Sequence, residues 1–405
     1  MKDGGIYDMK EKTENTRCRR PVAFRLLSLM TAVLVWSGSI LPAASRTLLA
    51  ADSLTAAAVR QYTFQEVGDL AENNSHDIIK QEADLAKAEL QQESARTSYQ
   101  IAVFEYWYNG GDGDETSSAY SALYSLQNSF ESAVTNAEDS ETELEQLKPK
   151  VRFDAEKLYI TLLMGGKEIT LQEKNVEIAK TARDLEAIKL IFGNSTSAAV
   201  ETAEQKAADE QKTLDTLKAT QKTNEDSMRV YLGLAEGTAF TLAETPELGT
   251  YQTVFDAAEV QKYALENSLS LEQTQRSLDN LDEQIKEYDR MGKDEQSELL
   301  SISATGTELS YEEAVESLKS KVAENLDQLM DAKAALEAAK TKTRRADIDY
   351  LASKLKYDMG SLSRNELQTA EKSKVQAANA YAEAQYDVYF AAQQITLMYQ
   401  GILVS

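Results

Sequence analysis

Residues 377–401 read AANAYAEAQYDVYFAAQQITLMYQG and carry two apolar stripes side by side. Ala377, Tyr381, Ala384, Val388, Ala391, Ile395 and Met398 follow alternating steps of four and three, the repeat of a packed helical seam. A second seam runs through Ala378, Ala382, Tyr389, Ala392 and Tyr399, with Gln385 and Thr396 as gaps. One seam serves one partner. Two adjacent, alanine-rich seams let a helix pack closely against neighbours on two sides, as in a bundle or a closed ring of helices.

Working outward, the same spacing recurs. Val315, Leu318, Val322, Leu329, Ala332, Leu336 and Ala339 keep it with Asn325 as the gap. So do Val200, Ala203, Ala207, Leu214, Leu217, Met228 and Tyr231, with Glu210, Gln221 and Asn224 as gaps. Breaks are expected at Asn109 to Ser117, Gly193 to Ser195, Leu232 to Gly249, Gly292 to Ser310 and Met359 to Ser361, while Pro149 and the pair Gly165 and Gly166 should bend or interrupt helix. The expected class is all-α: long antiparallel coiled-coil hairpins.

Composition narrows the chemistry. Over 405 residues there are 67 acidic and 43 basic side chains, a net charge of -24, which argues against binding nucleic acid by bulk electrostatics. One histidine and one cysteine starve most metal sites and every histidine-based triad, so no catalytic, metal or cofactor site is expected. His76 stands alone at a helix start, where a capping or solvated role suffices.

The N-terminus has the layout of an export signal. Arg17, Arg19, Arg20 and Arg25 precede the apolar run Leu26 to Trp36, and the small residues Ala43, Ala44 and Ser45 follow. Cleavage after Ser45 or after Ala51 fits the layout, and the run falls short of the ~20 residues that span a bilayer. Residues 1–51 hold eight basic and four acidic side chains, so export with cleavage deepens the net charge to -28 and leaves no cysteine.

The chain also resembles itself. Ala71, Glu72, Asn73, Asn74 and Ser75 match Ala264, Leu265, Glu266, Asn267 and Ser268, with Val67 matching Val260; each stretch is expected to begin a long helix. Gly193 corresponds to Gly360, and Tyr231-Leu232-Gly233 to Tyr399-Gln400-Gly401. This gives a first repeat over 52–249 and a second over 250–405, the first with extra residues between Trp107 and Pro149.

In these motifs and their order the chain resembles the TolC-like outer-membrane efflux proteins over essentially the whole of residues 52–405. The carrying stretches are Ala-Glu-Asn-Asn and Leu-Glu-Asn-Ser, the turn Lys356 to Ser363 followed by Glu366-Leu367, and the ending Ala391 to Gly401. The resemblance implies a homotrimeric α-helical tube in the cell envelope, outer membrane or an equivalent space. It further implies passive conduction to the outside, with a periplasmic adaptor and an inner-membrane pump as partners. It places adaptor docking at Phe192, Gly193, Asn194 and Ser195, and at Gly360, Ser361, Leu362 and Ser363. Two positions that often carry constriction aspartates fall on Glu366 and Thr369; Glu366 keeps a carboxylate that either rings the constriction or lies on a solvated helix face.

The β-barrel strands of that family are missing. A barrel strand takes ~9–11 alternating residues, and neither Asn109–Ser117 nor Gly292–Ser310 can hold a hairpin of them. A TolC-like protomer with little or no barrel is expected, suited to an envelope without a conventional outer membrane or to one where another component makes the pore. The aromatic cluster of Tyr99, Phe104, Tyr106, Trp107, Tyr108, Tyr120 and Tyr124 lies at the barrel-equivalent end. It either staples two helix ends or offers a partner or membrane contact, with Phe104, Tyr106, Trp107 and Tyr108 in that role. The competing function is a non-transporting envelope scaffold or adhesin, which keeps every helix and needs no closed tube.

Overall fold

A computed structural model describes residues 60–110, 118–290 and 293–404; the expected signal segment lies outside the described residues. Helix α1 (Phe64–Asn74) is followed by α2 (His76–Tyr108), α3 (Ser118–Ile191) and α4 (Ser197–Tyr231). Then come α5 (Ala257–Glu266), α6 (Leu269–Arg290), α7 (Asp294–Asp358) and α8 (Arg364–Met398). Among the described residues the strands are β1 (Arg60–Tyr62) and β2 (Phe240–Leu242), paired in parallel, and they form no barrel.

Long helices need good ends, and the chain supplies them locally. Thr63 with Glu66 and Ser363 with Glu366 form reciprocal capping boxes at the starts of α1 and α8. Four long helices stop the same way: at Gly193, Gly233, Gly360 and Gly401 the backbone turns left-handed, φ between 65° and 75°. The next N–H then bonds back five residues, Asn194 to the Lys189 carbonyl and Ser361 to that of Lys356, both at 2.8 Å.

The hairpins are antiparallel. Gln81 of α2 donates to the Ser140 carbonyl of α3 at 3.2 Å while Tyr99, further along α2, stacks on Phe130, earlier in α3. In the α3–α4 pair, Gln172 donates to the Glu210 carbonyl at 3.0 Å and Gln221 to that of Leu162 at 3.1 Å. Two of the polar gaps in the sequence seam, Glu210 and Gln221, are thus hydrogen bonds across the hairpin. In the α7–α8 pair, Thr343 donates to the Ala377 carbonyl at 2.9 Å and Asn325 reaches the Met398 sulfur at 3.3 Å.

The two hairpins meet at α3 and α8, where Phe153 packs edge-on to Phe390 and Tyr389 donates to Glu156 at 3.1 Å. The helices therefore lie in the order α4, α3, α8, α7. Two short helices lie on this layer in equivalent ways. Val67 and Ala71 of α1 are buried among Tyr159, Met228 and Tyr389, and Val260 and Ala264 of α5 among Leu318, Val388 and Ile395.

Two expectations change. The stretches Ala71–Ser75 and Ala264–Ser268 close a short helix before a long one opens, because each asparagine turns its side chain outward: Asn74 donates to the Tyr231 carbonyl at 3.3 Å and Asn267 to that of Tyr399 at 2.6 Å. Gly292–Ser310 is helical from Asp294, and Pro149, Gly165 and Gly166 do not interrupt α3. Hydroxyls of Thr305, Thr307 and Ser310 return to carbonyls four residues back, so a stretch poor in apolar residues still reads as helix surface. Gly165 leaves room for the Gln221 amide, whose oxygen would stand 2.4 Å from an added Cβ.

The clasp at Gly401 is tight: an added Cβ would lie 2.0 Å from the Asn267 carbonyl oxygen, whereas Gly193 has open space around it. Gly193→Ala should cost about 1 kcal/mol, the left-handed penalty alone. Gly401→Ala should cost on the order of 3 kcal/mol, because backbone has to move as well. Urea unfolding of the two variants checks this, and equal costs would remove the clasp from the account.

Candidate functional site

One concave feature of the layer is a groove of about 730 Å³ on α3 and α8, with residues from all four layer helices in its wall: Glu168, Gln221, Asn224, Gln328, Asn379, Glu383 and Asp387 among them. Helices α4 and α7 are the outer edges, and each lends side chains to the rim. The lining is mostly amide and carboxylate with Met164, Leu217 and Phe390 between, a polar wall. Burial raises Glu383, and the neighbouring Asp387 and Glu168 raise it further; burial alone raises Asp387. The groove therefore loses negative charge as pH falls, sooner than free carboxylates would.

The junction of the hairpins carries a buried carboxylate, Glu156. The Arg152 guanidinium holds Asp69 at 2.8 Å, Glu72 at 3.1 Å and Glu156 at 3.1 Å, tying α1 to α3. Glu156 is only 7% exposed, and burial pushes its carboxyl up, against hydrogen bonds from Tyr389 and Arg152 that pull it down. Tyr159 donates to the Ala243 carbonyl at 2.7 Å, and burial pushes its phenol up to about 12.

Both hairpin turns named from the sequence lie at one end of the layer. Lys174 of α3, on the way to its turn, bonds Glu371 of α8 at 3.3 Å, on the way from its own. In the first turn Phe192 is 74% exposed and Ser195 donates to Glu186 at 2.7 Å. In the second, Ser361 returns to the Lys356 carbonyl at 2.9 Å and Leu362 is half-buried. The Glu366 carboxylate takes the Ser363 N–H at 2.9 Å and its hydroxyl at 2.7 Å, which lowers it below the usual carboxylate range. It is a capping group here, and it stays ionised.

At the opposite end the aromatic cluster divides. Tyr106 is buried edge-on to Trp107 and Tyr120, and Tyr99 stacks on Phe130, which is the staple. Phe104, Trp107 and Tyr108 stay exposed, at 68%, 56% and 79%.

A longer feature went unread in the sequence. Leu299, Ile302, Gly306, Leu309, Glu313, Glu316, Ser320, Ala323, Asp327, Met330, Ala334, Glu337, Thr341, Arg344, Ile348, Leu351 and Leu355 form one stripe along α7 in alternating steps of three and four, and every one is exposed. Apart from Tyr357, it holds all the large exposed apolar side chains of that helix. At 100° per residue it lies about 150° around α7 from the seam that packs on α8. Its spacing is regular in the sequence, but the polar residues at its middle keep it from standing out as an apolar seam.

No family model matches the sequence, and no curated protein matches it. Solved structures do. The Campylobacter jejuni CmeC outer-membrane channel superposes with a TM-score of 0.58 at 11% identity, covering 84% of this chain and 85% of that one. The outer-membrane channel OprN gives 0.56 at 14% identity, over 85% and 93%, and CusC, described through its transmembrane channel formation, 0.54 at 13%, over 84% and 95%. The fold is that of the TolC-like helical tube proteins. No helix among the described residues is long and apolar enough to cross a membrane.

The Glu156 junction makes a sign-definite prediction. A carboxyl raised by folding binds protons more tightly in the folded chain, so its share of stability is full below the ordinary carboxylate range and is lost as pH rises through the raised value. Tyr389→Phe removes a donor that opposes that rise. It should cost about 1–3 kcal/mol at pH 7 and less at pH 4, read as the difference in Tm from the unaltered protein at each pH. A difference that grows toward low pH contradicts the junction as described.

Proposed function

We propose that the chain is one protomer of a TolC-like export duct, built from a first repeat over 52–249 and a second over 250–405. The observation that carries this is the exposed stripe of α7. A layer of four helices whose edge helix turns to solvent a regularly spaced stripe ~85 Å long, apolar toward both ends and mixed between them, is an unfinished wall. Its other edge, α4, exposes Gln205, Ala208, Lys212 and Ala219 on the face away from α3, small or flexible side chains that can accept knobs. Edge-to-edge contact between copies is heterologous, and such contacts close into rings when the rotation allows.

Three copies are the simplest ring and would put the polar groove on the inside, as a water-filled passage. The resemblance and the shared fold support a homotrimer in the cell envelope that conducts passively. The turns Phe192–Ser195 and Gly360–Ser363 would then face a periplasmic adaptor and an inner-membrane pump. Glu366, held ionised by its cap, would sit just inside that end in three copies. A non-transporting scaffold is favoured by the strand-poor far end, but it leaves the polar groove and the α7 stripe without a task.

Export by the living cell tests this reading. Deleting the gene should raise intracellular accumulation of compounds the cell exports, and the unaltered gene should restore export. Ile348→Glu with Leu351→Glu, on the exposed stripe, should fail to restore it while leaving the thermal unfolding of the chain within about 1 kcal/mol of the original. Unchanged accumulation on deletion would remove the transport role.

A further inference from the structure

The two hairpin turns do not end level. The α3–α8 contact nearest to them, Lys174 with Glu371, lies nineteen residues before Gly193 but only eleven after Gly360. Phe153 with Phe390 and Tyr389 with Glu156 give the same offset to within two residues. At 1.5 Å per residue the α3–α4 turn projects ~12 Å beyond the α7–α8 turn. Exposure agrees with this overhang. From Lys174 the α8-facing side of α3 continues in steps of four and three to Leu185, Ile188 and Phe192, all exposed because α8 is no longer beside them. Leu190 and Ile191 are exposed there too.

The projecting tip is also nearly free of charge. Residues 187–200 hold one ionic side chain, Lys189, which binds Glu186 at 2.6 Å, in a chain where 27% of residues are charged. No acid falls among them. Behind the tip the balance turns positive: residues 350–365, around the shorter turn, carry Lys354, Lys356 and Arg364 against Asp358. All three cations are exposed and, among the described residues, form no ion pair within the chain. Leu355 and Met359 are exposed between them. This end thus reverses the sign of a chain whose net charge is -24.

An apolar tip without acids, backed by unpaired cations, is complementary to an anionic phospholipid surface, because apolar insertion and electrostatic attraction add. The heights fit. Lys356 and Arg364 each stand four residues from Gly360, so they lie ~18 Å behind the leading turn. With that turn sunk ~5–10 Å, they come within about one Debye length, ~10 Å at 0.1 M salt, of the lipid phosphates. Their directions favour lipid over a protein groove. Lys354 and Lys356 are two residues apart and point to nearly opposite sides of α7, while Arg364 stands on α8. One groove meets one side of a hairpin; a plane across its end meets all sides.

We propose that this end of the molecule rests on an anionic phospholipid surface, with the α3–α4 turn sunk among the headgroups and the cations of the shorter hairpin over the phosphates. The surface is complete in one protomer, so the inference goes beyond the duct reading and does not need the ring to close.

Flotation with vesicles tests it, on the protein as recovered from the cell envelope. The chain should float with mixed phosphatidylglycerol and phosphatidylcholine vesicles, less with phosphatidylcholine alone, and less as salt is raised. Ile191→Ser with Phe192→Ser should weaken flotation. Lys354→Gln, Lys356→Gln and Arg364→Gln should lower vesicle affinity about fivefold each, on the order of 100-fold together. Both sets replace exposed side chains and should leave Tm unchanged. Brominated lipid should quench the fluorescence that Phe192→Trp adds, and not the part that Trp107→Phe removes at the far end. Flotation that survives both sets of substitutions, or quenching at Trp107 in place of residue 192, overturns the inference. A chain that does not float at low salt overturns it as well, and the tip then belongs to a protein partner. Export lost on gene deletion without flotation keeps the duct and removes the lipid contact; flotation without any export does the reverse.

Discussion

The amides of Asn74 and Asn267 hold the carbonyls of Tyr231 and Tyr399, and the register of the whole layer depends on those two clasps. Each fixes the end of a returning helix against the joint where its hairpin began. A one-residue slip of α4 or α8 would rotate its seam by 100° and carry it off its partner. The glycines beside the clasps allow the approach: Gly233 lies against the Asn74 side chain and Gly401 against the Asn267 backbone. The clasps sit at the two buried clusters around Val67 and Val260, so local stops and apolar packing fix the register at the same place.

With register fixed, burial follows. Ala377, Ala384, Val388, Ala391, Ile395 and Met398 are buried along α8, and the second seam is buried at Tyr389 and Ala392. That central stretch is where α8 meets α7 on one side and α3 on the other. Toward the turn, Ala378 is exposed. The layer is therefore closed at its middle and open at its edges, and the open edge of α7 carries the regular spacing of a coiled coil. An isolated chain leaves that surface in water, and apolar burial between copies is the force available to cover it.

Much of this was legible in residues. The seams of α8 and α7, the hairpin turns at Gly193 and Gly360 and the paired Tyr-x-Gly ends all follow from spacing, because heptads and left-handed glycines are local signals. The resemblance to TolC-like proteins rested on the same landmarks, and the fold agrees with it. What escaped reading depended on tertiary context. The joints after Asn74 and Asn267 exist because each side chain has a distant carbonyl to hold. The helix through Gly306 lies against α6, a tertiary contact that its few apolar residues do not announce. The exposed α7 stripe was hidden by its own polar middle, although its heptad spacing from Leu299 to Leu355 is regular in the sequence.

The account stands or falls on whether copies of the chain complete the wall. End-on views of the purified full-length protein by electron cryomicroscopy, with its mass in solution, test this most directly. A symmetric closed ring is expected, in which α7 of each protomer lies against its neighbour's α4, most simply three protomers and twelve helices around a water-filled passage. A monomer, or a two-stranded pair with the polar groove left on the outside, would contradict it.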